Sequence, residues 1–188
     1  MPAADRKLAA HELGRATLEQ LGHLPRVPIR FVLDDIRSRH NVGSIFRTAD
    51  AFRLHGLDLC GFTPLPPHRE IEKTALGATA SVPWRHFPTT LAAVEVLARE
   101  GWRIWALEQT AAAIDLSSFV APAGEPIALV LGNELRGVDP AVIAACDGAI
   151  VIPQHGLKHS LNVSVCAGIL GWALVGDRWG VSTGIPGP

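Results

Sequence analysis

Pro126-Ile127-Ala128-Leu129-Val130-Leu131-Gly132-Asn133-Glu134-Leu135-Arg136-Gly137-Val138-Asp139-Pro140 runs from an apolar segment through a polar loop holding two glycines and into a helical pattern. A strand is predicted over 126–131, and a helix over Pro140–Cys146, with Pro at its first turn and Asp139 as N-cap. A strand over Ala149–Ile152 follows. Toward the N-terminus the same alternation recurs. Strands at Ile29–Leu33, Leu57–Phe62 and Trp102–Leu107 are interleaved with helices over Val42–Leu54 and Leu91–Glu100. A Pro-rich loop through Pro67 leads into an irregular stretch to Phe87, and a short helix is expected over Ala111–Phe119. A long helix from Ser160 to Val175 closes the order. Alternating strands and helices predict an α/β domain with a mainly parallel sheet and helices on both faces.

Upstream, residues 3–22 read as one helix with a loose apolar stripe, and Leu24-Pro25-Arg26-Val27-Pro28 breaks it. The division expected is a helical extension over 1–28, the main domain over 29–177 and a tail over 178–188. With 48% hydrophobic and 19% charged residues in 188, the chain can close one sizeable core. Seventeen Lys and Arg against 18 Asp and Glu give a formal charge of −1, which excludes a polybasic arm that binds nucleic acid by bulk charge. No run of 18 apolar residues occurs, and a cytoplasmic protein that does not enter the membrane is expected. Cys60, Cys146 and Cys166 are odd in number and set in apolar runs, the pattern of reduced core thiols. Tyrosine is absent, so tyrosine chemistry is excluded.

Ligands of open α/β sheets collect at the carboxyl ends of the strands, so the loops there carry the candidate chemistry. The first runs from Asp34 to Arg47. Arg30, Arg37, Arg39, Arg47 and Arg53 make this the most basic segment, fit for a phosphate or a nucleic acid. Alternatively, Asn41 is an ordinary N-cap and the arginines a solvated face. The second loop, Gly132–Pro140, offers Asn133 and Glu134 between glycines but carries neither common phosphate-binding motif. A plain turn with a capping Glu would also explain it. In the third loop, Ile152–Val165, Ser160 is placed to cap the last helix, whereas capping leaves Asn162 unexplained. His155 and His159 are separated by Gly156 and lack an acidic companion, so no metal is expected. The last helix carries apolar residues on nearly every side. Either a partner subunit covers it in a homodimer, or it is a central core helix.

Taken together, Asn41-Val42-Gly43-x-x-x-Arg47-Thr48-Ala49-Asp50-Ala51-Phe52, Leu131-Gly132-Asn133-Glu134-x-x-Gly137-Val138 and Ile152-Pro153-x-x-Gly156-x-x-x-Ser160-Leu161-Asn162-Val163-Ser164-Val165 closely resemble the three motifs of the SpoU (TrmH-like) RNA ribose methyltransferases, of the SPOUT superfamily. The resemblance spans about residues 29 to 175. It implies S-adenosylmethionine as methyl donor, with S-adenosylhomocysteine as product, and the ribose 2′-hydroxyl of tRNA or rRNA as acceptor. It also implies a deep C-terminal trefoil knot and an obligate homodimer through the knot region and the last helix. By position, Leu107, Gly132, Asn133, Ile152 and Leu161 would surround the cofactor. Arg47 would be the catalytic arginine, serving a pocket built by the other subunit's knot. Asn41 would hold Arg47 or the RNA backbone, Glu134 would hold the arginine or the knot loop, and Ser160 and Asn162 would contact the ribose or fix the cofactor loop.

A guanidinium keeps its proton far above neutral pH, so using it as a base would be costly. The role expected for Arg47 is therefore to orient the ribose-phosphate and stabilise the attacking oxygen, the proton leaving to a phosphate or water. Arg37, Arg39, His40, Arg69 and Lys158 are the candidates for a compact RNA-binding patch, and the run His68–Lys73 either adds to it or is a solvated face. The alternatives weighed are a non-catalytic RNA-binding relative, a base-modifying SPOUT enzyme and an unrelated small-nucleotide enzyme.

Overall fold

The structure, a computed structural model, describes residues 6–9, 12, 14, 16–122 and 124–176. In chain order the elements are α1 (Leu18–His23), β1 (Val27–Asp34), α2 (Arg39–Ala51), β2 (Leu54–Cys60), α3 (Arg69–Ala75), α4 (Ala78–Ser81), β3 (Trp84–Phe87), α5 (Thr90–Arg99), β4 (Arg103–Leu107), β5 (Ile114–Asp115), β6 (Ile127–Leu131), α6 (Pro140–Ala145), β7 (Gly148–Val151) and α7 (Val163–Gly176). The strands form one seven-stranded sheet in the order β3-β2-β1-β6-β4-β7-β5. Every neighbouring pair is parallel.

All five residues of β6 are buried, because helices cover both faces of the sheet. Side chains alternate between two cores. Ile29, Phe31 and Leu33 of β1 pack with Leu129 and Leu131 against Ile45 and Phe46 of α2, Ile71 of α3 and Leu170 of α7. On the other face Val32, Ala128 and Val130 meet Val94 and Leu97 of α5 and Val142 of α6. Each large apolar side chain buried this way contributes about 1.5–3 kcal/mol. Helices α2 and α3 meet at Gly43, where a Cβ would lie 2.1 Å from Thr74 Oγ1 and 2.3 Å from the Ile71 carbonyl.

Several expectations are corrected. The irregular stretch to Phe87 holds α3, α4 and β3, of seven, four and four residues, too short to show a period. The helix expected over Ala111–Phe119 is a turn around β5. The Asp115 carboxylate accepts hydrogen bonds from Ser117 N (2.8 Å) and Ser117 Oγ (2.7 Å), which favours a turn over a helix, and Ile114–Asp115 pairs with β7. Residues 3–5, 10, 11, 13 and 15 of the N-terminal helix expected over 3–22 lie outside the described residues, and the others form an α-helix only over α1. A capping box between Thr17 and Gln20 starts it, and Gly14 upstream has φ +57°. Helix α2 is capped by Ser38, not Asn41: Ser38 Oγ accepts from Asn41 N at 3.2 Å. Helix α7 begins three residues after Ser160, since Asn162 Oδ1 takes the Ser164 N–H at 2.9 Å. The tail over 178–188 lies outside the described residues. Of the three cysteines, all free, only Cys60 is fully buried.

Arg30, counted in the basic segment, points into the second core. It is 5% exposed and forks onto Asp58, itself 0% exposed, through Nε to Oδ2 (2.8 Å) and Nη2 to Oδ1 (2.7 Å). Arg85 of β3 adds a bond to Asp58 at 2.7 Å and reaches Glu100 at 2.7 Å. One carboxylate thus links β1, β2 and β3, and raises the Arg85 pKa. Asp58→Ala would leave Arg30 buried without its charge partner, and an unfolding titration in urea is expected to show a loss of about 3–5 kcal/mol.

Candidate active site

At the C-terminal ends of β1, β4, β6 and β7, side chains from one loop fix the main chain of another. Glu134, in the loop after β6, accepts hydrogen bonds from the backbone N–H of Arg37 (2.9 Å) and of Ser38 (3.0 Å) and from Asn41 Nδ2 (2.9 Å). Asn41 in turn accepts from Asn162 Nδ2 at 3.2 Å. A continuous chain Glu134–Asn41–Asn162 thus joins all three motif segments. Burial works to raise the Glu134 pKa, but the hydrogen bonds outweigh it and hold the carboxyl below its ordinary range.

Asn133 shapes its own loop and anchors it. Its Oδ1 accepts from the N–H groups of Leu135 (3.0 Å) and Arg136 (3.2 Å), and its Nδ2 donates to the Asp35 carbonyl at 2.6 Å. The loop is closed by a pair of backbone bonds between Asn133 and Gly137. Three further residues, Asp34 within the first loop and Glu108 and Gln109 outside all three, hold these loops without having been expected to. Glu108 accepts from Val138 N at 3.0 Å, and Gln109 Nε2 donates to the His159 carbonyl at 2.7 Å. Asp34 accepts from Asp139 N at 3.1 Å and from the Thr90 hydroxyl, while burial raises its pKa against those bonds. Asp34 and Glu108 each sit where a strand ends, so the strand-end rule already applied to the loops could have found them.

These loops enclose a cleft of about 560 Å³. Leu107, Gly132, Asn133, Ile152 and Leu161 line it, and so do Glu134, Ser160 and Asn162. Cys166, expected as a reduced core thiol, also reaches it, with its thiol pKa raised by burial. A Cβ on Gly132 would lie 2.2 Å from the Gly137 carbonyl carbon, so main chain forms that wall. Among the described residues, no three His, Cys, Asp or Glu side chains are grouped as a metal site requires.

The structure does not bring every candidate to the cleft. Asn41 joins it only through Glu134 and Asn162, and Arg37, Arg39, His40, Arg47 and Lys158 do not line it. Arg39 lies 3.6 Å from Glu70 in an exposed ion pair. Arg47 is exposed on α2 in a separate groove with Ser44, Thr48 and Lys73.

A fully parallel sheet with helices on both faces and a cleft built from three hydrogen-bonded strand-end loops defines an α/β protein that takes its ligand at the carboxyl ends of its strands. Residues 28–172 match the SpoU rRNA Methylase family, and the chain belongs to it. The 23S rRNA (guanosine-2′-O-)-methyltransferase RlmB of Nitrosomonas europaea is 35% identical over 155 residues, covering 82% of this chain and 58% of that protein. The AdoMet-bound rRNA methyltransferase of Sinorhizobium meliloti superposes with a TM-score of 0.75 at 25% identity, covering 82% of this chain and 58% of the other. The TrmH/SpoU tRNA modifying enzyme of A. aeolicus gives 0.75 at 26% identity, with coverages of 86% and 82%. The chain spans a little over half the length of curated relatives such as RlmB.

Because the Glu134 pKa is depressed in the fold, its contribution to stability is complete above the ordinary carboxylate range and is lost as pH falls through the lowered value. Glu134→Gln turns one acceptor oxygen into a donor facing other donors. It is expected to cost about 1 kcal/mol at neutral pH, or roughly 2–4 °C in Tm. Melting curves at decreasing pH should show the gap to the wild type closing as Glu134 protonates.

Proposed function

We propose that the chain transfers a methyl group from S-adenosylmethionine to a ribose 2′-hydroxyl in tRNA or rRNA. The observation that carries this reading is the hydrogen-bonded chain from Glu134 through Asn41 to Asn162, which draws three distant segments around one cleft. The AdoMet-bound Sinorhizobium neighbour and the 2′-O-methyltransferase relative support the donor and the acceptor.

The cleft suits such a cofactor. Its volume is in the range of small-molecule pockets. Leu107, Ile152 and Leu161 offer apolar surface to an adenine, and the main-chain wall at Gly132 admits close approach. When bound, S-adenosylmethionine supplies an electrophilic methyl carbon on a sulfonium. The chain's task is alignment. Asn133 and Glu134 hold the floor loop, while Ser160 and Asn162 flank the mouth on the ribose side. Arg47 orients the ribose-phosphate and stabilises negative charge on the attacking oxygen, whose proton leaves to a phosphate or water. Arg37, Arg39, His40 and Lys158 extend the RNA contact beyond the cleft. A cytoplasmic site of action belongs to this reading and is supported by the tRNA and rRNA named for the bacterial relatives.

The working unit is a homodimer built on α7. One side of this helix is buried through Ala167, Leu170 and Leu174, yet Val165 is 50% and Trp172 76% exposed. An exposed tryptophan on an otherwise apolar helix favours a second copy as cover. Gly171 packs against the ring of Phe52, which lines the Arg47 groove, so the dimer face and that groove adjoin. Pairing through α7 would present Arg47 to the partner's cleft, which accounts for its absence from its own. The deep C-terminal trefoil knot belongs to the same reading. It is supported by β7 lying between β4 and β5, and by the loops after β6 and β7 sharing one cleft. Residues 29–177 are then the methyltransferase unit, with 1–28 an extension.

Isothermal titration with S-adenosylmethionine and S-adenosylhomocysteine should show binding of both, and radiolabelled methyl should pass into undermodified tRNA or rRNA. No binding of either would overturn the reading. Arg47→Lys is expected to lower kcat by about 10²-fold with cofactor affinity unchanged; near-normal turnover would remove the need for a planar fork. Trp172→Glu should sediment as a monomer and lose transfer, whereas an unaltered dimer would exclude α7 from the interface.

A further inference from the structure

We infer that Lys73 is a second cation of the RNA phosphodiester seat, gripping the backbone beside the ribose that Arg47 orients. The inference rests on the methyltransferase reading and extends it to a residue outside the three motifs. Arg47 and Lys73 line one groove of about 500 Å³ together with Ser44, Thr48 and Thr74. Both cations are exposed, and neither forms an ion pair among the described residues. Among the described residues no carboxylate lines the groove. The acidic side chains of the adjoining segments are engaged elsewhere: Glu70 with Arg39 at 3.6 Å, Glu72 with the Thr79 hydroxyl at 2.8 Å, and Asp50 with the Ser81 hydroxyl.

The helices that carry the two cations are also held at a fixed spacing. Gly43 allows α3 to lie directly on α2, and Thr74 Oγ1, next to Lys73, donates to the His40 carbonyl at 3.0 Å. A side chain at residue 43 would push the two helices apart. The groove therefore offers a planar guanidinium fork, a mobile ammonium and hydroxyl groups on a rigid base, the donor set suited to a singly charged phosphodiester. In the sequence Lys73 ends the charged run His68–Lys73. In the fold it lines the groove that holds Arg47.

The test is binding of bulk tRNA, followed by fluorescence anisotropy, to the wild type, Lys73→Ala and Lys73→Arg over about 50–200 mM salt. Lys73→Ala should weaken binding and reduce the slope of log Kd against log salt by about one. It should raise KM for RNA while leaving kcat, S-adenosylmethionine affinity and the dimer unchanged, and Lys73→Arg should restore the slope. An unchanged slope in Lys73→Ala would overturn the inference, as would weakened binding that tracks dissociation of the dimer, which would make Lys73 a subunit contact. A wild type that binds RNA with the Lys73-dependent slope but neither binds the cofactor nor transfers methyl would sustain the phosphate seat and sink the methyltransferase reading. A wild type that binds no RNA would overturn both.

Discussion

The carboxylate of Glu134 is the constraint on which the rest of the site depends. Its two oxygens take three N–H groups from the segment that opens α2, two of them main chain. The start of α2 is thereby fixed relative to β6, and with it the orientation of the Asn41 amide. Nδ2 is committed to Glu134, so Oδ1 is left to accept from Asn162 at the head of α7. One acidic side chain thus sets where α2 begins, which way Asn41 faces and where α7 starts. The groove on the far side of α2 inherits that placement, because α3 is seated on Gly43 of the same helix.

The near-neutral charge of the chain is compatible with an RNA substrate once the arginines are sorted by environment. Arg30 and Arg85 are tied to Asp58, and Arg103 to Glu125 and Asp147, so these cations bind the fold together. What remains to attract a phosphate is set by which charges lack a nearby opposite sign, not by the total. The α2–α3 groove is such a place.

Much of the fold was readable because apolar runs and helical periods of five or more residues carry their own signature. β1, β2, β4 and β6 and helices α2, α5 and α7 fall within a few residues of their expected bounds. What escaped was either too short to show a period, as with α3, α4 and β3, or governed by one polar side chain. Asp115 turns the chain where a helix was expected, and Ser38 moves the α2 cap three residues upstream. For the site, the three motifs marked the segments but not their connections. Arg30 reads as one more basic residue until Asp58, on the neighbouring strand, is seen beside it. Asn162 had no local explanation; in the fold it caps α7 and binds Asn41 together. The strand-end position marks Asp34 and Glu108, but the main chain that they and Gln109 hold is remote in sequence, and no local pattern records those partners.

That remoteness has a kinetic meaning. The bonds that shape the cleft join residues 93 to 121 positions apart, from Glu134 to Asn41 and from Asn162 to Asn41. None can close until β1 and β6 lie side by side, and the loops have no regular structure to hold their form beforehand. Contacts of such separation form against the full entropy of loop closure, which makes a parallel sheet of this kind slow to fold. The shape of the ligand-binding surface is therefore tied to the assembly of the sheet, and a change that weakens the pairing of β1 with β6 would loosen the cleft as well.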